Sequence, residues 1–437
     1  MNMGQKDSVL NWIDEHRDEA VQFLQELVQI PSVNSWFDTK AAYKGEGNAQ
    51  RLAAEFMKEL GAAVDLWEPD PEELSKYEGQ PGYFADHTFH DRPNMAATLK
   101  GTGGGRSLLL MGHIDTVKEG SGWTKDPFGG EIEEGRLYGR GAVDMKGGIA
   151  AMMMALRAVS KSQIALKGDV CVGTVVDEES GGMGALAFVD RGYRADACIM
   201  TEATQMKIAP LCRGILWGKV TLTGRSGHIE LPQKDWREGG TVDAIQKARL
   251  LLDSFDRLNR DWSLRKVHPL LKVPCQLLVG QVAAGEFPST YANKAEISFD
   301  IQFLPKERDR FGGGKLVMQE VEEFIRKVSE TDPWLKEHPP VVEWMVNADC
   351  GETDSGHPFV QTLWNCLEEI GYKPELEGSY FHTDMGWPER VGIPTVNFGP
   401  GDPAVAHQDN EFVPVEEYIE AVKMIALAIM EWCQVEG

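Results

Sequence analysis

Short apolar runs rich in β-branched residues alternate with longer amphipathic stretches along most of this chain. Val64–Trp67, Met95–Lys100, Ser107–Met111, Val170–Val176, Ala197–Thr201 and Thr395–Phe398 have the length and composition of strands. Between and around them, helical spacing predicts Asp7–Ile30, stopped by Pro31, and Gly45–Gly61, with Leu52, Ala53, Phe56, Met57 and Leu60 on one face. Further helices are predicted at Ala142–Lys161 (with its leading loop), Gly184–Arg191, Pro358–Ile370 and Val415–Cys433. The Met152–Met154 run reads as core packing. Pro69–Arg92, rich in Pro, Gly, His and acids, reads as an inserted loop. Strands alternating with helices predict an α/β domain on a mostly parallel sheet.

The rhythm changes after Arg213. Leu216–Gly224, Cys275–Val282, Lys294–Phe303 and Val341–Val346 read as strands, and Thr241–Leu258 and Lys315–Ser329 as helices. That order, β-α-β-β-α-β, is the ferredoxin-like motif. The expected organisation is one domain from residues 1–212 and 347–437, interrupted by a second at 213–346. Leu216–Gly224 is expected as an edge strand of the second domain, open to pairing.

Composition narrows the function. A chain of 437 residues is long for one domain. The formal net charge of −24 argues against nucleic acid or an anionic membrane as partner, since both need basic surface. The first residues, MNMGQKDSVLNWIDEH, lack the apolar core of a secretion signal, and apolar stretches fall short of a bilayer span. Seven cysteines are scattered without a CxxC pair, which suggests reduced thiols and a cytoplasmic protein. The GTGGG turn after Lys100 lacks the lysine of a phosphate-binding loop and is given no such role.

The chemistry gathers at strand ends. LLLMGHIDTV puts His113 and Asp115 just past a buried strand, VVDEESGG puts Glu178 and Glu179 past another, and IMTEAT puts Glu202 past a third. VNFGPG ends a fourth and leads to His407, while YGRGAVDMKGG sets Asp144 before a helix. A charged turn accounts for most acidic runs, but open α/β sheets bind ligands at the carboxyl ends of their strands. Clustered carboxylates repel and lose hydration, and divalent ions offset that cost. Mixed imidazole and carboxylate ligation suits zinc, with cobalt or manganese as substitutes. His113 and Asp115, two apart, share a side of an extended segment, so Asp115 is expected to accept the free ring N–H of His113. One of the adjacent Glu178 and Glu179 can ligate while the other serves as general base.

The motifs GHIDTV, LYGRGAVDMKGG, DEESGG, TEAT, GRSGH, HTDMG and FGPG–AHQDNEF occur in an order that resembles one family across nearly the whole chain. It is the acetylornithine deacetylase, succinyl-diaminopimelate desuccinylase, aminoacylase and carboxypeptidase G family of dinuclear zinc hydrolases. The resemblance implies a zinc-exopeptidase-like three-layer catalytic domain with an inserted ferredoxin-like lid that commonly dimerises. It implies one metal on His113, Asp144 and Glu202, a second on Asp144, Glu179 and His407, and Glu178 as base and proton shuttle. It implies that His228, from GRSGH, reaches a partner subunit's site and polarises the scissile carbonyl. The expected substrate is a small N-acyl amino acid or related N-acyl amine. A dipeptidase or carboxypeptidase, or a deacylase of a non-amino-acid amide, is the alternative. One departure bears on this choice. The family's carboxylate-binding arginine sits in a DxR strand, where this chain has Asp300, Ile301 and Gln302, and its asparagine position matches Gly285. Arg213, Arg225, Asn293 and His382 are the candidate replacements for substrate contact.

Overall fold

A computed structural model describes residues 3–37 and 45–436; part of the polar stretch between Pro31 and Gly45 lies outside them. The strands are β1 (Ala63–Trp67), β2 (Asn94–Leu99), β3 (Leu108–His113), β4 (Val170–Val175), β5 (Cys198–Met200) and β6 (Thr395–Asn397). They form one sheet in the order β1-β2-β4-β3-β5-β6. The four strands β4, β3, β5 and β6 run parallel, and β1 and β2 are antiparallel additions at one edge. β3 and β4 are buried along their whole length, which is why they read as continuous apolar runs with no alternation.

Helices cover both faces of the sheet. Gly112 of β3 faces Ile149 in the helix Gly147–Lys161, whereas Gly173 of β4 faces Phe188 in the helix Met183–Asp190. Gly173 is in register with Met111, the neighbour of Gly112, so the two glycines point to opposite faces. Either position leaves no room for a side chain, and glycine there lets a helix approach the sheet. The helix Val415–Cys433 packs on Gly147–Lys161, and Met152, Met153 and Met154 are buried in that core, as expected of packing residues. The first predicted helix is two, Met3–Glu15 and Arg17–Val28, broken at His16, whose ring stacks on Trp12 and bonds its carbonyl.

The chain divides into two compact units. The first comprises Met1–Cys212, Gly351–Ser379 and Thr383–Gly437; the second comprises Arg213–Cys350 with Tyr380–His382. The second has a four-stranded antiparallel sheet in the order Leu277–Ala284, Lys294–Phe303, Gly214–Thr223, Val341–Ala348. Helices Ala244–Arg265 and Lys315–Ser329 supply Phe255, Trp262, Val321 and Ile325 to a core shared with Phe299 and Phe303. This is the β-α-β-β-α-β arrangement. It also corrects one expectation. The strand at Leu216–Gly224 is no edge, because this winding inserts it between the third and fourth strands, and both of its sides are paired. The edges are Leu277–Ala284, carrying exposed Leu278 and Val282, and Val341–Ala348, carrying exposed Val341 and Met345. Among the described residues no helix is long and apolar enough to cross a membrane. All seven cysteines are buried, and none of them forms a disulfide.

Candidate metal centre

Strand register explains why distant motifs meet. His113 ends β3 opposite Val175 of β4, so Asp177–Ser180 leaves the sheet beside it. Met111 pairs with Met200 of β5, which carries Glu202 past the same edge, and β6 pairs with β5 one strand further on. Asp144 enters from the turn before the helix Gly147–Lys161, and His407 from the loop after β6, in a left-handed conformation at φ 61°.

The side chains converge in two groups that share Asp144. His113 Nε2 lies 3.1 Å from Asp144 Oδ1 and 3.6 Å from Glu202 Oε1. His407 Nε2 lies 3.2 Å from Asp144 Oδ2 and 3.2 Å from Glu179 Oε2. Ligands about 2.1 Å from a tetrahedral ion stand about 3.4 Å apart, so both groups have the spacing of a zinc coordination shell. The tautomer agrees. His113 Nδ1 is 3.0 Å from the Asp115 main-chain carbonyl, which only accepts, so Nδ1 carries a proton and Nε2 is the nitrogen left to take a metal.

The electrostatics point the same way. Burial raises the carboxyls of Glu178, Glu179 and Glu202 above the ordinary range. Against partial desolvation, half-exposed His407 is pushed up to about 11 by Glu179 and Asp144. A cluster that must hold protons to tolerate its own charge is a donor set suited to divalent cations. Glu178 belongs to neither ligand group; its Oε2 is 3.8 Å from His113 Nε2.

Asp115 departs from expectation. Its carboxylate stands 3.6 Å from His113 Nδ1, too far for the hydrogen bond, which its main-chain carbonyl takes instead. The carboxylate accepts Asn34 Nδ2 at 2.8 Å and the backbone N–H groups of Glu178 and Glu179 at 3.3 and 3.1 Å. Asp115 therefore orients the acidic turn as well as the histidine. Asn34 is brought there by pairing of residues 32–34 with Ile114–Thr116.

Other residues at the site went unread in the sequence. Buried Glu411, within the AHQDNEF motif, accepts the backbone N–H groups of Val143 and Asp144 at 3.0 and 3.2 Å and pairs with buried Arg140. Buried Asp384, of HTDMG, has a carboxyl oxygen within 4.8 Å of one on Glu178, and burial raises its carboxyl to about 7. Neither had a distinguishing spacing. The candidate substrate residues belong to the second unit. His228 is exposed, and its Nδ1 accepts the Glu230 N–H at 3.3 Å. Asn293 is exposed, and His382 Nδ1 donates to the Asp349 carbonyl at 2.9 Å. Arg225 donates to the carbonyls of Trp236 and Gly240. Gly285 has φ +72°, a left-handed conformation that glycine adopts without strain.

Comparison with known proteins agrees with this geometry. Residues 109–431 match the model of Peptidase family M20/M25/M40. The chain belongs to that family. This M20 chain is 30% identical over 440 residues to the N-formyl-4-amino-5-aminomethyl-2-methylpyrimidine deformylase of Bacillus subtilis (strain 168), covering 96% of each. It is 27% identical over 424 residues to the acetylornithine deacetylase of Proteus mirabilis (strain HI4320), covering 95% of this chain and 97% of that one. Its fold matches human carnosine dipeptidase 1 with a TM-score of 0.71 at 18% identity, over 98% of this chain and 100% of that one. The family read from the motifs is borne out, and the M20 chain is a metal-binding hydrolase of amide bonds.

Proposed function

We propose that the protein hydrolyses the amide of a small N-acylated amine, with a short acyl group of the formyl kind and no carboxylate beside the amide nitrogen. The observation that carries this reading is Gln302. It occupies the position where the family pattern has a carboxylate-binding arginine, and its side-chain amide donates to Asp300. The other oxygen of Asp300 accepts the Trp217 indole N–H at 2.8 Å. This set offers no cation to an α-carboxylate. The similarity to the Bacillus subtilis deformylase, whose named substrate is a formylated aminomethylpyrimidine, supports the same class.

His113, Asp144 and Glu202 are proposed to hold one divalent ion, and Asp144, Glu179 and His407 a second, zinc foremost and cobalt or manganese as substitutes. When bound, such ions supply Lewis acidity toward the amide carbonyl and acidify water. Glu178 takes the proton of the attacking water as its oxygen bonds to the acyl carbon. It delivers that proton to the nitrogen as the C–N bond breaks. His228 is proposed to act on the carbonyl in the site of a second subunit, in a homodimer formed through residues 213–346. Asn293 and His382 are proposed substrate contacts.

A second reading, an N-acyl amino acid of the acetylornithine kind, is favoured by Arg213. Its buried guanidinium donates to the Val273 carbonyl and has no carboxylate partner among the described residues. Buried cations are ordinarily paired, so this one is suited to an anionic group on a ligand. Amine release from the formylated aminomethylpyrimidine and from N-acetylornithine, with zinc present, separates the readings. The expected result is a kcat/KM ratio of about 100 or more in favour of the formyl compound, the scale of desolvating a carboxylate that finds no partner. The inverse ratio assigns Arg213 the carboxylate, and release from dipeptides alone moves the protein to the peptidases.

A further inference from the structure

The acidic turn is gripped from a second side. Asp177, first of the three acids, is buried and takes a left-handed backbone conformation at φ 72°. Both of its carboxylate oxygens are engaged. Oδ1 accepts Arg92 Nη2 at 2.9 Å and Ser180 Oγ at 2.9 Å, and Oδ2 lies 2.7 Å from His87 Nδ1. Arg92 is itself buried and fixed. Its Nε and Nη2 donate to Glu46 at 2.6 and 3.2 Å, and its Nη1 to the Thr88 carbonyl at 2.7 Å. The grip continues across the turn, where Asn34 Nδ2 donates to Ser180 Oγ at 3.0 Å and to Asp115 Oδ2 at 2.8 Å. Asp115 then takes the N–H groups of Glu178 and Glu179.

We propose that Arg92 and His87 are positioning residues that lock the Asp177–Ser180 turn and so aim the Glu178 and Glu179 carboxylates. Both come from Pro69–Arg92, which is therefore a working arm of the site. The physical case rests on three points. Asp177 sits one residue from Glu178, so rotation at its backbone swings both glutamates. Its carboxylate has no access to water, so each lost partner leaves an unsatisfied buried charge. Among the described residues Arg92 is the one side chain that pairs with both buried carboxylates, Glu46 and Asp177, and only a planar fork reaches both at once. The proposal rests on the roles given above to Glu178 and Glu179.

The test uses two conservative variants of the full chain, Arg92→Lys and His87→Gln, each loaded with cobalt. Arg92→Lys keeps the charge and loses the fork; His87→Gln keeps a donor and loses the ring. Each is expected to release cobalt to a chelator about tenfold faster than the parent and to lose about tenfold or more in kcat with KM little changed, the usual scale for groups that orient metal ligands. If Arg92→Lys does not fold, His87→Gln decides. Cobalt release and kcat both within twofold of the parent in a folded variant overturn the proposal. Glu178→Ala is run alongside. If it turns over while the cobalt arm shows the tenfold change, the base assignment fails and the lock stands. If it is inactive while the lock variants match the parent, the lock alone fails.

Discussion

Glu178→Ala is expected to lower kcat by about 10²–10⁴-fold while retaining the parent's metal content. Glu178 is partly buried beside the two ligand groups and belongs to neither. Its backbone N–H is held by Asp115, so the carboxylate projects from a fixed turn. Removing it deletes the proposed proton acceptor and leaves Asp144, Glu179, Glu202, His113 and His407 untouched. Turnover and metal analysis on one preparation check the claim. Loss of metal together with activity would make Glu178 a ligand, and undiminished activity would remove it from the mechanism.

Asp144→Ala is expected to have the largest effect on metal content. Asp144 offers Oδ1 to the His113 group and Oδ2 to the His407 group. Without it each group retains two protein ligands, His113 with Glu202 and Glu179 with His407. Catalytic zinc sites ordinarily use three. Metal analysis after dialysis should therefore find less than about one ion per chain, with activity lost in step. Two tightly held ions in this variant would show that the groups do not share a ligand.

Much of this site was legible before any coordinates. The strands β3 and β4 announced themselves as short, unbroken apolar runs, and parallel pairing then dictates that the residues leaving each strand collect at one edge. That is why His113, Glu179, Glu202 and His407 could be placed together from sequence alone. The arrangement that holds them stayed hidden. The spacing predicts the Asp115 carboxylate as acceptor of the His113 ring proton, but a two-residue spacing cannot say whether a side chain or its own carbonyl is nearer. Arg92, His87 and Glu46 lie 85, 90 and 131 residues before Asp177, and no periodicity links them. Pro69–Arg92 reads as a loop because its α-helix, Pro71–Leu74, is a single turn and its buried apolar residues, Leu74 and Phe89, are too far apart in sequence to form a stripe, while Phe84 stacks on His87. Strand order in the second unit was equally out of reach, since the same six elements in the same sequence leave the edge undetermined until the winding is known.

The central claim is that a pair of divalent ions on this one cluster drives amide hydrolysis, and metal removal tests it most directly. Amine release from the formylated aminomethylpyrimidine is measured on protein stripped by a chelator, and again after zinc is titrated back with metal content followed in parallel. Activity should vanish on stripping and return as the second ion per chain is restored. Hydrolysis that persists in protein shown to be free of metal would contradict the account.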